Sequence, residues 1–96
     1  MDGGFCVLNE LYRIVEERLR DMPEGSYTAS LAREGVPAVS RKLGEEAVET
    51  IVEALSGSRE RLAEEAVDLL YHLAVLLAMR GVTPSDIEEV VRSRMR

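Results

Sequence analysis

Residues 42–73 read KLGEEAVETIVEALSGSRERLAEEAVDLLYHL. Apolar residues recur at three- and four-residue spacing on both sides of Ser56-Gly57-Ser58, and no period-2 alternation is sustained, so both runs read as helices. The break is too short for anything but antiparallel neighbours, which makes the stretch a helical hairpin. Its first helix is expected from Pro37, placed in the first turn where its missing N–H costs nothing, to about Leu55. Its second is expected from Arg59 to Arg80, with Ser58 as N-cap and Gly81 as the left-handed stop.

Flanking segments read the same way. A helix is expected from about Phe5 to Asp21, with Val7, Leu8, Leu11, Val15 and Leu19 on one face, broken at Met22-Pro23-Glu24-Gly25-Ser26. Ser26 or Thr28 caps a short helix through Leu31 to Glu34, ended by Gly35. Thr83-Pro84-Ser85-Asp86 opens a last helix to the C-terminus, with Thr83 as N-cap and Pro84 at its first position. The fold class is therefore all-α, in a single domain over residues 1–96 with the hairpin at its centre.

The 96 residues carry 46% hydrophobic and 31% charged side chains, a balance that fits an ordinary soluble globule and excludes disorder. No apolar run approaches the roughly 18 residues of a membrane span, and the start resembles no signal peptide. The lone cysteine, Cys6, has no internal partner and reads as a packing residue, which points to the reducing cytoplasm. The net charge of −6 argues against nucleic acid as a partner. All of it falls within residues 45–68, where eight acids meet two arginines; the rest of the chain holds ten acids and ten bases.

That charge has a pattern. At about 100° per residue, Lys42, Glu45, Glu46, Glu49 and Glu53 share roughly 100° of arc on the first hairpin helix. Leu43, Val48, Ile51, Val52 and Leu55 take the remainder. On the second helix Leu62, Leu69, Leu70, Leu73, Leu76 and Leu77 form a wide core stripe, with Glu65, Asp68 and His72 along its edge. Glu46-x-x-Glu49 and Glu65-x-x-Asp68 are i,i+3 pairs whose side chains point the same way, and antiparallel packing can set the pairs face to face. Four like charges in one partly buried place repel, and a divalent cation removes the repulsion. All-carboxylate donors select a hard ion, Mg²⁺ or Mn²⁺. The competing reading is a solvated acidic surface, which suits Glu53, Glu60 and Glu64 well.

Other residues carry two readings each. Lys42 is either an i,i+4 partner of Glu46 or a phosphate contact. Gly44, costly inside a helix, serves either close helix packing or room for a ligand. His72 reads as an edge histidine with its nitrogens satisfied, and Tyr12 and Tyr71 as core or edge aromatics.

Lys42-Leu43-Gly44-Glu45-Glu46-Ala47-Val48-Glu49, followed after a spacer by Glu65-Ala66-Val67-Asp68-Leu69-Leu70-Tyr71-His72-Leu73, resembles the phosphoribosyl-ATP pyrophosphohydrolase family. That family lies within the all-α, MazG-like nucleoside triphosphate pyrophosphohydrolases, marked by E-E-x-x-E, a spacer and E-x-x-D. Pro23-Glu24-Gly25-Ser26-Tyr27-Thr28 and Arg80-Gly81-Val82 extend the likeness from about residue 8 to residue 96.

The resemblance implies hydrolysis of phosphoribosyl-ATP to phosphoribosyl-AMP and pyrophosphate, the second step of histidine biosynthesis. It implies Mg²⁺, with Mn²⁺ as the alternative, held by Glu46, Glu49, Glu65 and Asp68. Glu45 is left to position or deprotonate the attacking water or to complete the metal shell. Lys42, Tyr27, Thr28 and His72 are assigned to substrate. The resemblance also implies a homodimer in which two hairpins complete a four-helix bundle, flanked by the short helices. Two other readings differ in their consequences. A housecleaning pyrophosphohydrolase for canonical or damaged nucleotides would use the same metal, but the Pro23–Thr28 segment argues against it. A non-catalytic helical interaction module predicts no stabilisation by Mg²⁺.

Overall fold

A computed structural model describes residues 3–95, with side chains from residue 7 onward. The packing reading of Cys6 lies outside the described side chains. The described chain runs α1 (Gly3–Asp21), α2 (Tyr27–Glu34), α3 (Val36–Ser56), α4 (Arg59–Met79) and α5 (Pro84–Arg94). Only helices occur among the described residues, and none is long and apolar enough to cross a membrane.

The helix ends have local causes. Met22, at φ 48, turns the chain left-handed after α1, an uncommon conformation for a side chain of its size. Ser26 then caps α2, its hydroxyl accepting from the Ala29 N–H at 3.2 Å. Gly35, at φ 95, ends α2 and leads directly into α3, with Pro37 in the opening turn. Ser58 caps α4 through the Arg61 N–H at 3.1 Å. Gly81, at φ 74, closes α4: its N–H bonds the Ala78 carbonyl while that of Val82 bonds Leu77, a Schellman arrangement. Thr83 and Asp86 exchange side-chain-to-backbone bonds of 3.1 and 2.9 Å, a complete capping box for α5.

The core lies where α1 and α2 cross one end of the hairpin. Val15, Leu31, Val39, Ala74 and Val75 are buried there, with Leu11, Leu19, Tyr71, Leu76 and Met79 packed around them. The Tyr12 hydroxyl donates to the Val82 carbonyl at 2.7 Å and ties α1 to the turn before α5.

The expected leucine core on α4 is not realised within one chain. None of Leu62, Leu69, Leu70, Leu73, Leu76 and Leu77 is buried; the buried α4 side chains are His72, Ala74 and Val75. The reason is placement. Helices α1 and α2 cover only the end of the hairpin that carries Val39 and Val75. The other end is an arm of two helices that cover one another on one side only. Val48, Ile51, Val52, Leu55 and Val67 stay exposed there, Leu55 at 82%.

Candidate metal centre

The carboxylates stand at the junction between the covered end and the open arm. Glu46 and Glu49, one turn apart on α3, meet Glu65 of α4, and one carboxylate oxygen of each lies within 4.8 Å of the others. Glu46 is buried at 6% exposure, Glu65 is half-buried and Glu49 faces solvent. Oε1 of Glu46 and Oε1 of Glu65 are both buried and accept no hydrogen bond among the described residues. An unpaired buried carboxylate oxygen loses its hydration with nothing in return. The Glu65 carboxyl responds by titrating at about 7, pushed up by burial first, then by its close neighbour Glu49 and by the negative charges of Asp68 and Glu46.

This donor set fits a hard divalent cation. It is all oxygen and multiply charged, and two of its buried oxygens lack any protein donor. It contains none of the cysteine or histidine nitrogen and sulfur that zinc favours. Asp68 is exposed and lies outside the group of three, close enough for its charge to raise Glu65.

Lys42 supplies the nearest positive charge. Its Nζ lies 3.5 Å from Glu46 Oε2 and 3.8 Å from Glu45 Oε1. Burial lowers its pKa, but Glu46, Tyr27 and Glu45 outweigh that and leave it raised, so the ammonium stays charged. The side chain is still partly open and Glu45 is exposed, which leaves both able to reach a ligand over the carboxylates. A Cβ added at Gly44 would meet nothing within 4 Å. Close helix packing therefore does not explain this glycine, and the face ahead of Glu45 is open space.

An aromatic flank adjoins this charge. Nδ1 of His72 donates to the Asp68 carbonyl at 2.7 Å, since a carbonyl can only accept. Nε2 lies 3.0 Å from the Tyr27 hydroxyl, so both ring nitrogens have a hydrogen-bond partner. Tyr71 stacks on Tyr27 with centroids 6.0 Å apart, and His72 meets both rings edge-on. The Thr28 and Tyr71 hydroxyls hydrogen-bond each other. Burial raises the Tyr27 pKa most; Lys42 lowers it, and Tyr71 and Glu46 raise it, which sets the phenol within the field of the charged site.

Of the four residues assigned to substrate, Lys42 and Tyr27 present accessible surface. Thr28 is fully buried, its hydroxyl engaged by Tyr71, and His72 is 5% exposed with both ring nitrogens engaged. In this arrangement these two brace Tyr27 and α2 through their hydrogen bonds with Tyr71 and Tyr27. Tyr71, expected as a core or edge aromatic, forms the platform for Tyr27. The neighbour missed in the sequence is Thr50, whose hydroxyl donates to the Glu46 carbonyl at 2.8 Å and reaches the Glu65 carbonyl on α4 at 3.3 Å. Its position one turn after Glu46, between the acidic arc and the apolar face, was the available signal.

Comparison with known proteins matches residues 8–95 to the family model described as phosphoribosyl-ATP pyrophosphohydrolase. The chain is 56% identical to a phosphoribosyl-ATP pyrophosphatase of Metallosphaera sedula over 90 residues, covering 94% of this chain and 97% of that protein. Proteins of the same name from Sulfurisphaera tokodaii and Saccharolobus solfataricus are 49% and 48% identical, each over 94% of this chain and 96% of their own. With the match spanning both carboxylate helices and nearly the whole sequence, the chain belongs to the phosphoribosyl-ATP pyrophosphohydrolase family.

Proposed function

We propose that this chain is a phosphoribosyl-ATP diphosphatase, hydrolysing phosphoribosyl-ATP to phosphoribosyl-AMP and pyrophosphate in histidine biosynthesis. The observation that carries the reading is the convergence of Glu46, Glu49 and Glu65, two of them with buried unpartnered oxygens, in a chain of this family. Glu46, Glu49, Glu65 and Asp68 would hold Mg²⁺, with Mn²⁺ as the alternative. Bound there, the cation neutralises polyphosphate oxygens and polarises the phosphorus under attack.

The chain's own residues do the rest. Glu45 either accepts the proton of the attacking water and aligns its oxygen with phosphorus, or completes the metal shell. The new P–O bond forms as the α–β anhydride breaks, and pyrophosphate leaves. Lys42 meets a phosphate oxygen, exchanging its carboxylate partners for substrate. Tyr27, held by His72 and Tyr71, presents its exposed ring and hydroxyl beside that position.

Residues 1–96 act as one domain, in the cytoplasm, as the unpaired single cysteine suggests. The open arm supports a homodimer: Val48, Ile51, Val52, Leu55 and Val67 are what a second hairpin would cover to complete a four-helix bundle. Light scattering should give about twice the 10.7 kDa chain mass. A stable monomer at micromolar concentration overturns the dimer. The activity is tested by pyrophosphate release from phosphoribosyl-ATP against a panel of dNTPs. Marked preference for phosphoribosyl-ATP is expected. Equal or faster release from a dNTP would favour the housecleaning reading, and no release from any substrate the non-catalytic one.

A further inference from the structure

We infer that Thr50 is a positioning residue for the metal site, setting the register of α4 over α3 so that Glu65 meets Glu46 and Glu49. The inference rests on the metal reading given above. A repelling set of carboxylates drives its two helices apart, so something must hold them together before a cation arrives. Two side-chain hydrogen bonds cross from α3 to α4 among the described residues: Arg61 Nε to Glu53 Oε1 near the hairpin turn, and Thr50 to the Glu65 carbonyl. The first is exposed and lies one helical turn from the cluster, toward the hairpin turn. The second sits within it.

The acceptors of Thr50 are the argument. Its single hydroxyl proton is shared between the carbonyls of Glu46 and Glu65, the two residues whose Oε1 atoms are buried without partners. A threonine bonding back to the fourth preceding carbonyl is ordinary in helices. Here the same hydroxyl also reaches the neighbouring helix at a candidate ligand's own backbone. One group thus fixes the axial and rotational offset of Glu65 relative to Glu46. Each carbonyl lies in a helix interior, where the N–H four residues on supplies its regular partner, so the extra bond is a small part of fold stability but the main polar constraint on ligand spacing.

The test is direct Mn²⁺ titration of the full chain by electron paramagnetic resonance, with kcat measured across Mn²⁺ concentration. Thr50→Val keeps the shape and removes the hydroxyl; Thr50→Ala does so without β-branching if the valine variant folds poorly. Either should weaken Mn²⁺ binding about tenfold while kcat at saturating Mn²⁺ stays within about threefold, and Thr50→Ser should restore wild-type affinity. A lower melting temperature with unchanged Mn²⁺ affinity in the hydroxyl-free variants overturns the inference, as does failure of serine to rescue. Absence of saturable Mn²⁺ binding in the wild type overturns the metal reading and this inference with it.

Discussion

The two ends of the hairpin are built on different principles. At one end α1 and α2 bury Val15, Leu31, Val39 and Val75, and local order comes from apolar contact. At the other, α3 and α4 have only each other, and Val52 and Leu55 face outward. The carboxylates stand between the two, anchored on one side by the packed end and left repelling on the other. The contrast suggests a division of labour. The packed end supplies stability with little role in chemistry, and the junction spends stability to keep a charged site ready.

Several substitutions separate the two. Glu49→Gln should lower kcat/KM about a thousandfold while leaving the melting temperature equal or higher, because it removes one charge from a repelling group at nearly constant shape. Near-normal turnover would remove Glu49 from the metal site. Lys42→Met should cost on the order of a hundredfold in kcat/KM with little thermal effect, if the ammonium meets a phosphate oxygen that gains charge as the anhydride breaks. A change below about threefold would return Lys42 to being only the helix partner of Glu46. In the packed end the signs reverse. Val39→Ala should cost about 2 kcal/mol of stability through the cavity it leaves, while kcat/KM measured below melting stays within about twofold. A large kinetic defect there would break the division.

The helical frame was legible in the sequence because its signals are local. Ser26, Ser58 and Thr83 cap where their side chains and following residues require, and Gly35 and Gly81 stop helices at positive φ. The left-handed turn at Met22 had no such signal, since it follows from how the chain leaves α1 for Pro23. Side-chain spacing likewise put Glu46, Glu49, Glu65 and Asp68 on facing helices. It did not reveal that Glu65 sits closer to the group than Asp68, which depends on the offset between α3 and α4. The leucine stripe on α4 is left partly open for a related reason. Periodicity marks a face as apolar, but only the docking of α1 and α2 decides which part of it is covered. The aromatic flank of Tyr27, Tyr71 and His72 is equally a product of where α2 lands on α4.

A smaller effect comes from proton linkage. The folded Glu65 carboxyl titrates at about 7, above its ordinary value of 4.5. Between those values the folded state holds more protons than the unfolded one, so metal-free stability should fall as pH rises from 4.5 to about 7. Glu65→Gln should flatten that fall relative to wild type. Identical pH profiles of melting temperature for the two proteins would mean that the cluster does not strain the fold.

The most direct test of the whole account is a thermal melt at pH 8 with and without Mg²⁺. The repelling carboxylates predict that excess Mg²⁺ raises the wild-type melting temperature by about 5 °C or more, and that Glu49→Gln loses most of the rise. An unchanged wild-type melting temperature would contradict a cation site at Glu46, Glu49 and Glu65 and leave the acids as a solvated face.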